Sequence, residues 1–66
     1  MNILKYEMKK NRYSGIELAK ALGVSETTVT MWLTGKYRPG MENIDKMISL
    51  GFSEDACIDP TREKEF

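Results

Sequence analysis

Residues 15–34 constrain the fold of this chain more than any other stretch. They form two short amphipathic segments of helical period, separated by Gly23, which accepts the left-handed backbone conformation of a sharp turn at little cost. Ala19 is small where two helices would cross closely, and Val29 is placed to fill the wedge between them. The stretch therefore predicts two helices packed as one helix-turn-helix unit.

Capping residues mark the ends of both predicted helices. Ser14 and Glu17 have the spacing of a capping box, in which each side chain accepts a hydrogen bond from the other residue's amide. Ser25 fits the N-cap of the second helix, and Gly35 fits the left-handed residue that ends it. Both helices are thus predicted to be short.

Apolar residues recur at helical spacing on both sides of this unit. A first helix is predicted over about 2–11, a fourth over about 41–50, and one further turn over 53–58. The charged stretch after that turn is short of apolar residues, which predicts a frayed tail. We therefore expect an all-α bundle of four to five short helices, with one domain over 1–58 and a tail over 59–66.

The sequence is poor in side chains suited to catalysis or metal binding. It holds no histidine and one cysteine, Cys57, so an internal disulfide is excluded and the commonest general base is missing. No apolar run approaches the roughly 20 residues that span a bilayer, and the N-terminus lacks a signal-peptide pattern. We expect a soluble, cytoplasmic protein that is not an enzyme and uses no cofactor or metal, with Cys57 as a small packing residue.

A net charge of zero conceals an asymmetry along the chain. Residues 1–40 hold seven Lys or Arg against three Glu, whereas residues 41–66 hold three against seven Asp or Glu, so the halves carry +4 and −4. A basic front half suits a domain that presents one face to phosphate and keeps the other for solvent or a partner. The alternative interpretation is ordinary surface charge.

One set of residues matches a known family pattern. It comprises Leu18, Ala19, Lys20, Ala21, Leu22, Gly23, Val24, Ser25, Val29, Trp32, Gly35 and Lys36. With a proline opening the next helix, the pattern resembles the phage repressor and Cro family of helix-turn-helix regulators, also called the Xre family, over about residues 3–58. The resemblance implies a lambda-repressor-like bundle, usually dimeric, that inserts the helix over about 25–34 into the major groove of double-stranded operator DNA.

Two positions depart from the family pattern. Many members begin the second helix with a glutamine that holds a DNA phosphate, and Gly15 stands there, so only backbone amides remain. In a subset of members a buried Arg on the first helix pairs with a Glu near the end of the third. Met8 and Leu33 occupy those places, and because apolar residues often replace a buried ion pair without loss of stability, we expect the two to touch.

Two sets of residues are candidates for DNA contact, because a major-groove helix reads base edges near its N-terminus while flanking groups hold phosphates. The base-reading set comprises Glu26, Thr27, Thr30 and Met31. The phosphate-binding set comprises Gly15, Thr28, Thr34, Lys36, Tyr37, Arg38 and Asn43. For Glu26 the alternative is an acid favoured by the helix dipole, and for Met31 it is the edge of the core, where Trp32 also belongs.

Two functions compete at this point. The first is a short Cro-like repressor, and its few cations predict weak binding by a monomer and hence a homodimer, through helix 4 and residues 52–58. There Phe52, Cys57 and Ile58 are expected to be only partly buried. The second is a repressor-like interaction module that modulates another regulator, such as another repressor protein, with little DNA binding of its own.

Overall fold

Five short helices follow one another within residues 1–64, the part of the chain that this computed structural model describes. They are α1 (Ile3–Lys10), α2 (Gly15–Leu22), α3 (Glu26–Thr34), α4 (Met41–Ser49) and α5 (Glu54–Ile58). The predicted all-α bundle is confirmed. No helix in the described part of the chain is long and apolar enough to cross a membrane.

The helix-turn-helix unit is closed by the caps that the sequence predicts. The Ser14 hydroxyl accepts from the Glu17 amide and the Glu17 carboxylate accepts from the Ser14 amide, both at 3.1 Å. The bond from the Ser14 amide lowers the pKa of Glu17, because it favours the ionised carboxylate. Gly23 ends α2 in the left-handed region at φ 73°, and Ser25 and Gly35 cap α3.

One cluster of buried side chains joins this unit to the other helices. It comprises Leu4, Met8, Leu18, Ala19, Leu22, Val29, Trp32, Met47, Phe52 and Cys57. Val29 and Trp32 are 1% and 2% exposed, which confirms both as core residues. Met8 is buried and the partly buried Leu33 packs against the same cluster, so both belong to one core, and their direct contact stays a prediction.

Two residues that were expected to be only partly buried lie fully inside this core. Phe52 is 3% and Cys57 0% exposed, whereas Ile58 is 46% exposed. The Phe52 ring packs on Tyr13 with 5.9 Å between ring centroids. Burial, with a contribution from nearby carboxylates, raises the pKa of the Cys57 thiol to about 11. Cys57 is therefore a protonated packing residue, and neither it nor Phe52 is available to a dimer surface.

Glu7 is the one buried charged residue in the described part of the chain. Its carboxylate accepts hydrogen bonds from the Ser53 amide at 2.7 Å and from the Ser53 hydroxyl. That hydroxyl in turn accepts from the Ala56 amide at 3.2 Å, as the N-cap of α5. Glu7 thus ties α1 to the start of α5, a role that the sequence did not indicate.

Part of the segment that was expected to be a frayed tail after residue 58 is hydrogen-bonded to α1. Pro60 is buried, and its carbonyl accepts from the Leu4 amide at 3.1 Å, while the Arg62 carbonyl accepts from the Ile3 amide at 2.7 Å. These bonds satisfy amides of the first turn of α1, which have no partner within their own helix. The rest of the predicted tail, residues 65–66, lies outside the described residues.

Candidate functional site

The face of α3 opposite its core residues carries the predicted base-reading side chains. Glu26, Thr27 and Thr30 are exposed, and Met31 is half-buried at the margin of the core. The Thr30 hydroxyl donates to the Glu26 carbonyl at 3.2 Å, so its proton is used within the helix while its oxygen and methyl group remain accessible. The helical period thus predicted correctly which side of α3 stays open.

The hydroxyls expected to bind phosphate are already engaged at the ends of α3. The Thr28 hydroxyl shares a hydrogen bond with the Ser25 hydroxyl at 2.9 Å, and the Thr34 hydroxyl donates to the Met31 carbonyl at 3.2 Å. A phosphate oxygen accepts hydrogen bonds, so Thr34 must release the Met31 carbonyl before it donates to DNA, and Thr28 must do the same with Ser25 where it is the donor of their shared bond. This reduces their expected contribution relative to the cations.

The basic loop after α3 is hydrogen-bonded to the helix at its start and buried at its end, and the residues between are exposed to solvent. The amides of Lys36 and Tyr37 donate to the Met31 carbonyl at 2.9 and 3.4 Å, and at the other end Pro39 is buried. Lys36, Tyr37 and Arg38 are all exposed. The two cations therefore stand on an anchored loop directly after the C-terminus of α3.

Two helix N-termini, those of α2 and α4, are further candidates for binding phosphate. A Cβ atom placed on Gly15 would lie 3.9 Å from Glu26 Cγ, which brings the start of α2 beside the start of α3. The start of α4 has no side-chain cap at Gly40, and Asn43 in its first turn is half-buried. The uncapped amides of α4 suit an anion such as phosphate, whereas at α2 the Ser14 hydroxyl already accepts from the Glu17 amide and the nearby Glu26 carboxylate opposes an anion.

The cations of the front half are available to a ligand. None of the seven Lys and Arg side chains of residues 1–40 forms an ion pair with a residue that the structure describes. Among the acids of that half, Glu7 is bound by Ser53 and Glu17 by Ser14. Phosphate therefore meets little competition for these cations from the chain itself.

Two contacts support the end of α3, and neither was anticipated. The Asn2 side-chain amide donates to the Leu33 carbonyl at 2.8 Å. A Cβ atom on Gly35 would lie 3.1 Å from Thr61 Cγ2, so the C-terminal segment lies against the cap of α3. Both partners are distant in sequence, so no local pattern signals them.

Residues 1–64 hold no group of three or more His, Cys, Asp or Glu placed to bind a metal ion. The exposed face of α3 and the loop after it carry instead hydroxyls, one carboxylate and two cations. Hydroxyls and carboxylates hydrogen-bond base edges, and cations bind phosphates. This arrangement is therefore suited to nucleic acid more than to a small reacting substrate.

A family model described as helix-turn-helix matches residues 4–50. The match covers α1 to α4 and so includes the two packed helices and the basic loop. No curated protein and no solved structure matches the chain significantly.

Proposed function

This chain belongs to the Xre, Cro and lambda-repressor type of helix-turn-helix proteins, and we propose on that premise that it is a sequence-specific transcriptional repressor of the Cro type. The family is one of DNA-binding regulators rather than enzymes, and we propose that the chain has no catalytic activity. The observation that carries the proposal is the open polar face of α3, followed directly by Lys36 and Arg38, which form no ion pair with any of residues 1–64. A phage or prophage regulator of this kind would act in the cytoplasm.

In the proposed complex, the first residues of α3 read bases and the loop holds the backbone. Glu26 accepts from a cytosine amino group, Thr27 offers its methyl group to thymine, and Thr30 reaches the same groove one turn later. The face lacks Arg, Lys, Asn and Gln, so it makes none of the bidentate purine contacts that are each worth about 1 to 3 kcal/mol. Lys36 and Arg38 must then supply much of the affinity.

We propose that two copies occupy one operator, because so few cations give a single copy weak and salt-sensitive binding. Two recognition helices about 34 Å apart would meet successive turns of the major groove. Of the surface expected for this dimer, Phe52 and Cys57 are buried, so the outer face of α4, residues 53–55 and Ile58 remain for it.

Arg38→Ala should weaken binding to every DNA sequence alike and reduce the slope of log affinity against log salt by about one, because one phosphate contact is lost. Thr27→Ala should instead change the preference between sequences by about 1 kcal/mol, the low end of the range for a base contact, because Thr27 makes no bidentate pair. Fluorescence anisotropy with DNA from upstream of the protein's own gene, at several salt concentrations, measures both. Arg62→Ala is the matched control, because Asp55 and Asp59 already pair with that cation at 3.5 Å. Equal loss on all sequences from Thr27→Ala would refute its role as a base reader.

Gly15→Gln should strengthen DNA binding up to about tenfold, because the amide restores the phosphate contact that many family members make at this position. The nearest atom to the new Cβ would be Glu26 Cγ at 3.9 Å, an ordinary contact, so the helix start accommodates the side chain. Gly15→Ala is the control, since it changes the backbone preference without adding a donor. If both variants bind DNA with the same affinity, Gly15 does not lie against a phosphate.

The second candidate is a repressor-like module that binds another regulator and contacts DNA little. The Glu26 carboxylate beside Gly15 favours it, since a negative charge there opposes phosphate at the start of α2 and α3. Absence of DNA binding even at low salt, in the same anisotropy measurement, would select this function over the first.

A further inference from the structure

An apolar groove lies between α4 and α5. Its volume is about 230 Å³. Its lining residues are Met41, Ile44, Asp45, Ile48, Glu54 and Ile58. Met41 is 74% exposed, Ile48 45% and Ile58 46%. Met41 and Ile48 lie at the spacing of an apolar stripe on α4, and Ile58 lies on α5. Large apolar side chains that remain exposed around one groove indicate a surface that another molecule covers.

The dimensions of the groove indicate the kind of occupant. Pockets for small molecules have volumes of about 300 to 1,000 Å³ and enclose most of the ligand, so this groove is small for that purpose. A groove between two helices suits the apolar stripe of a third helix, which inserts a few side chains at i, i+3, i+4 and i+7. Methionine at the margin, as at Met41, adapts its shape to such side chains.

The rim of the groove is acidic and is not neutralised by the described part of the chain. Asp45 and Glu54 line the groove, and neither forms an ion pair there. The neighbouring cation, Lys46, is 3.8 Å from Glu42 and donates to the Leu22 carbonyl at 3.3 Å. The two carboxylates can therefore attract a partner that carries positive charge.

We propose that this groove binds an amphipathic helix of another protein, one that carries lysine or arginine beside its apolar stripe. This groove lies on the surface expected for the dimer, but a second copy of this chain fits it less well, because the copy would bring the same acidic rim, Asp45 and Glu54, and no matching cations. We therefore assign the groove to another protein and leave the dimer contact to the rest of α4. The proposal goes beyond DNA binding, since the base-reading residues lie on α3 and the groove is formed by α4 and α5.

Two synthetic peptides test the charge requirement. One is an amidated helix of about four turns with a leucine stripe flanked by lysines, and the other has glutamate in place of every lysine. With the full chain labelled for NMR, the lysine peptide should shift amide resonances of α4 and α5 and bind at least about tenfold more tightly than the glutamate peptide. Equal affinity for both peptides, or shifts confined to α3, would overturn the proposal.

The double variant Asp45→Asn with Glu54→Gln should bind the lysine peptide about tenfold more weakly. A higher salt concentration should likewise weaken binding of this peptide to the unaltered protein. Both carboxylates are exposed, so the fold is expected to persist, and circular dichroism checks this. Glu26→Gln removes an exposed carboxylate from α3 and should leave peptide affinity unchanged. Self-association that shifts the same α4 and α5 resonances without peptide would show that a second copy occupies the groove. Because none of these measurements uses DNA, their outcome does not depend on whether the chain is a repressor.

Discussion

Met8→Arg is expected to lower the free energy of unfolding by about 3 to 5 kcal/mol, because it places an unpaired cation in the core. Met8 is 5% exposed and belongs to the main buried cluster. A domain of this size has a total stability of roughly 3 to 10 kcal/mol, so a large fraction of the molecules should be unfolded at room temperature. Urea unfolding followed by circular dichroism measures the change.

Met41→Arg is the matched control for this substitution. The side chain of Met41 is 74% exposed, so the same chemical change should alter stability by only about 0.5 kcal/mol. A Met8→Arg protein that melts at the temperature of the unaltered chain would show that this position tolerates charge, and the core as described would be wrong.

The expected contact between Met8 and Leu33 is tested by a double-mutant cycle. If the two side chains touch, the double variant Met8→Arg with Leu33→Glu should lose less unfolding free energy than the two single variants lose together, because the new charges pair. Strict additivity would place the two residues apart within the same core.

Glu7→Ala is expected to destabilise the protein by about 3 kcal/mol. The substitution removes two hydrogen bonds to a carboxylate and leaves the amide and hydroxyl of Ser53 without their acceptor. The effect should be concentrated on α5, which has five residues and is too short to hold its shape without tertiary contacts. Chemical denaturation measures the total loss of stability.

The reactivity of the Cys57 thiol measures the effect of Glu7→Ala on α5 itself. Its thiol is buried, with a pKa raised to about 11, so it should react slowly with a thiol reagent in the intact protein and faster once α5 is loosened by Glu7→Ala. Glu42→Ala is the control, because that exposed carboxylate takes part only in a surface pair with Lys46. Unchanged stability and thiol reactivity in Glu7→Ala would contradict a structural role for the buried carboxylate.

The helix ends were predictable because their signals are local. A capping box joins residues three apart, as Ser14 and Glu17 do, and the left-handed conformation of Gly23 and Gly35 follows from the absence of a Cβ atom. The exposed side of α3 was likewise predictable, since its period separates Thr27 and Thr30 from the core. For the candidate site, the sequence therefore indicated the face and the basic loop.

The hydrogen bonds and contacts that the side chains of that site form were not predictable in the same way. The Thr28 hydroxyl is bonded to the hydroxyl of the N-cap residue Ser25, and the Thr34 hydroxyl to the Met31 carbonyl. The proximity of Gly15 to Glu26, which places a carboxylate beside the start of α2, depends on the angle at which α2 and α3 pack.

What the sequence by itself determined is the set of helices, their ends and the polar face of α3, because these depend on backbone preferences and on neighbours within about one turn. Only the tertiary structure decided which apolar surfaces are covered: Phe52 and Cys57 lie inside while Met41 stays outside. It also decided that Glu7 of α1 binds Ser53, the N-cap of α5, through a bond that spans 46 positions. Such pairings are set by how five short helices share one small core, and in a chain of this length there is too little interior to bury every apolar stripe.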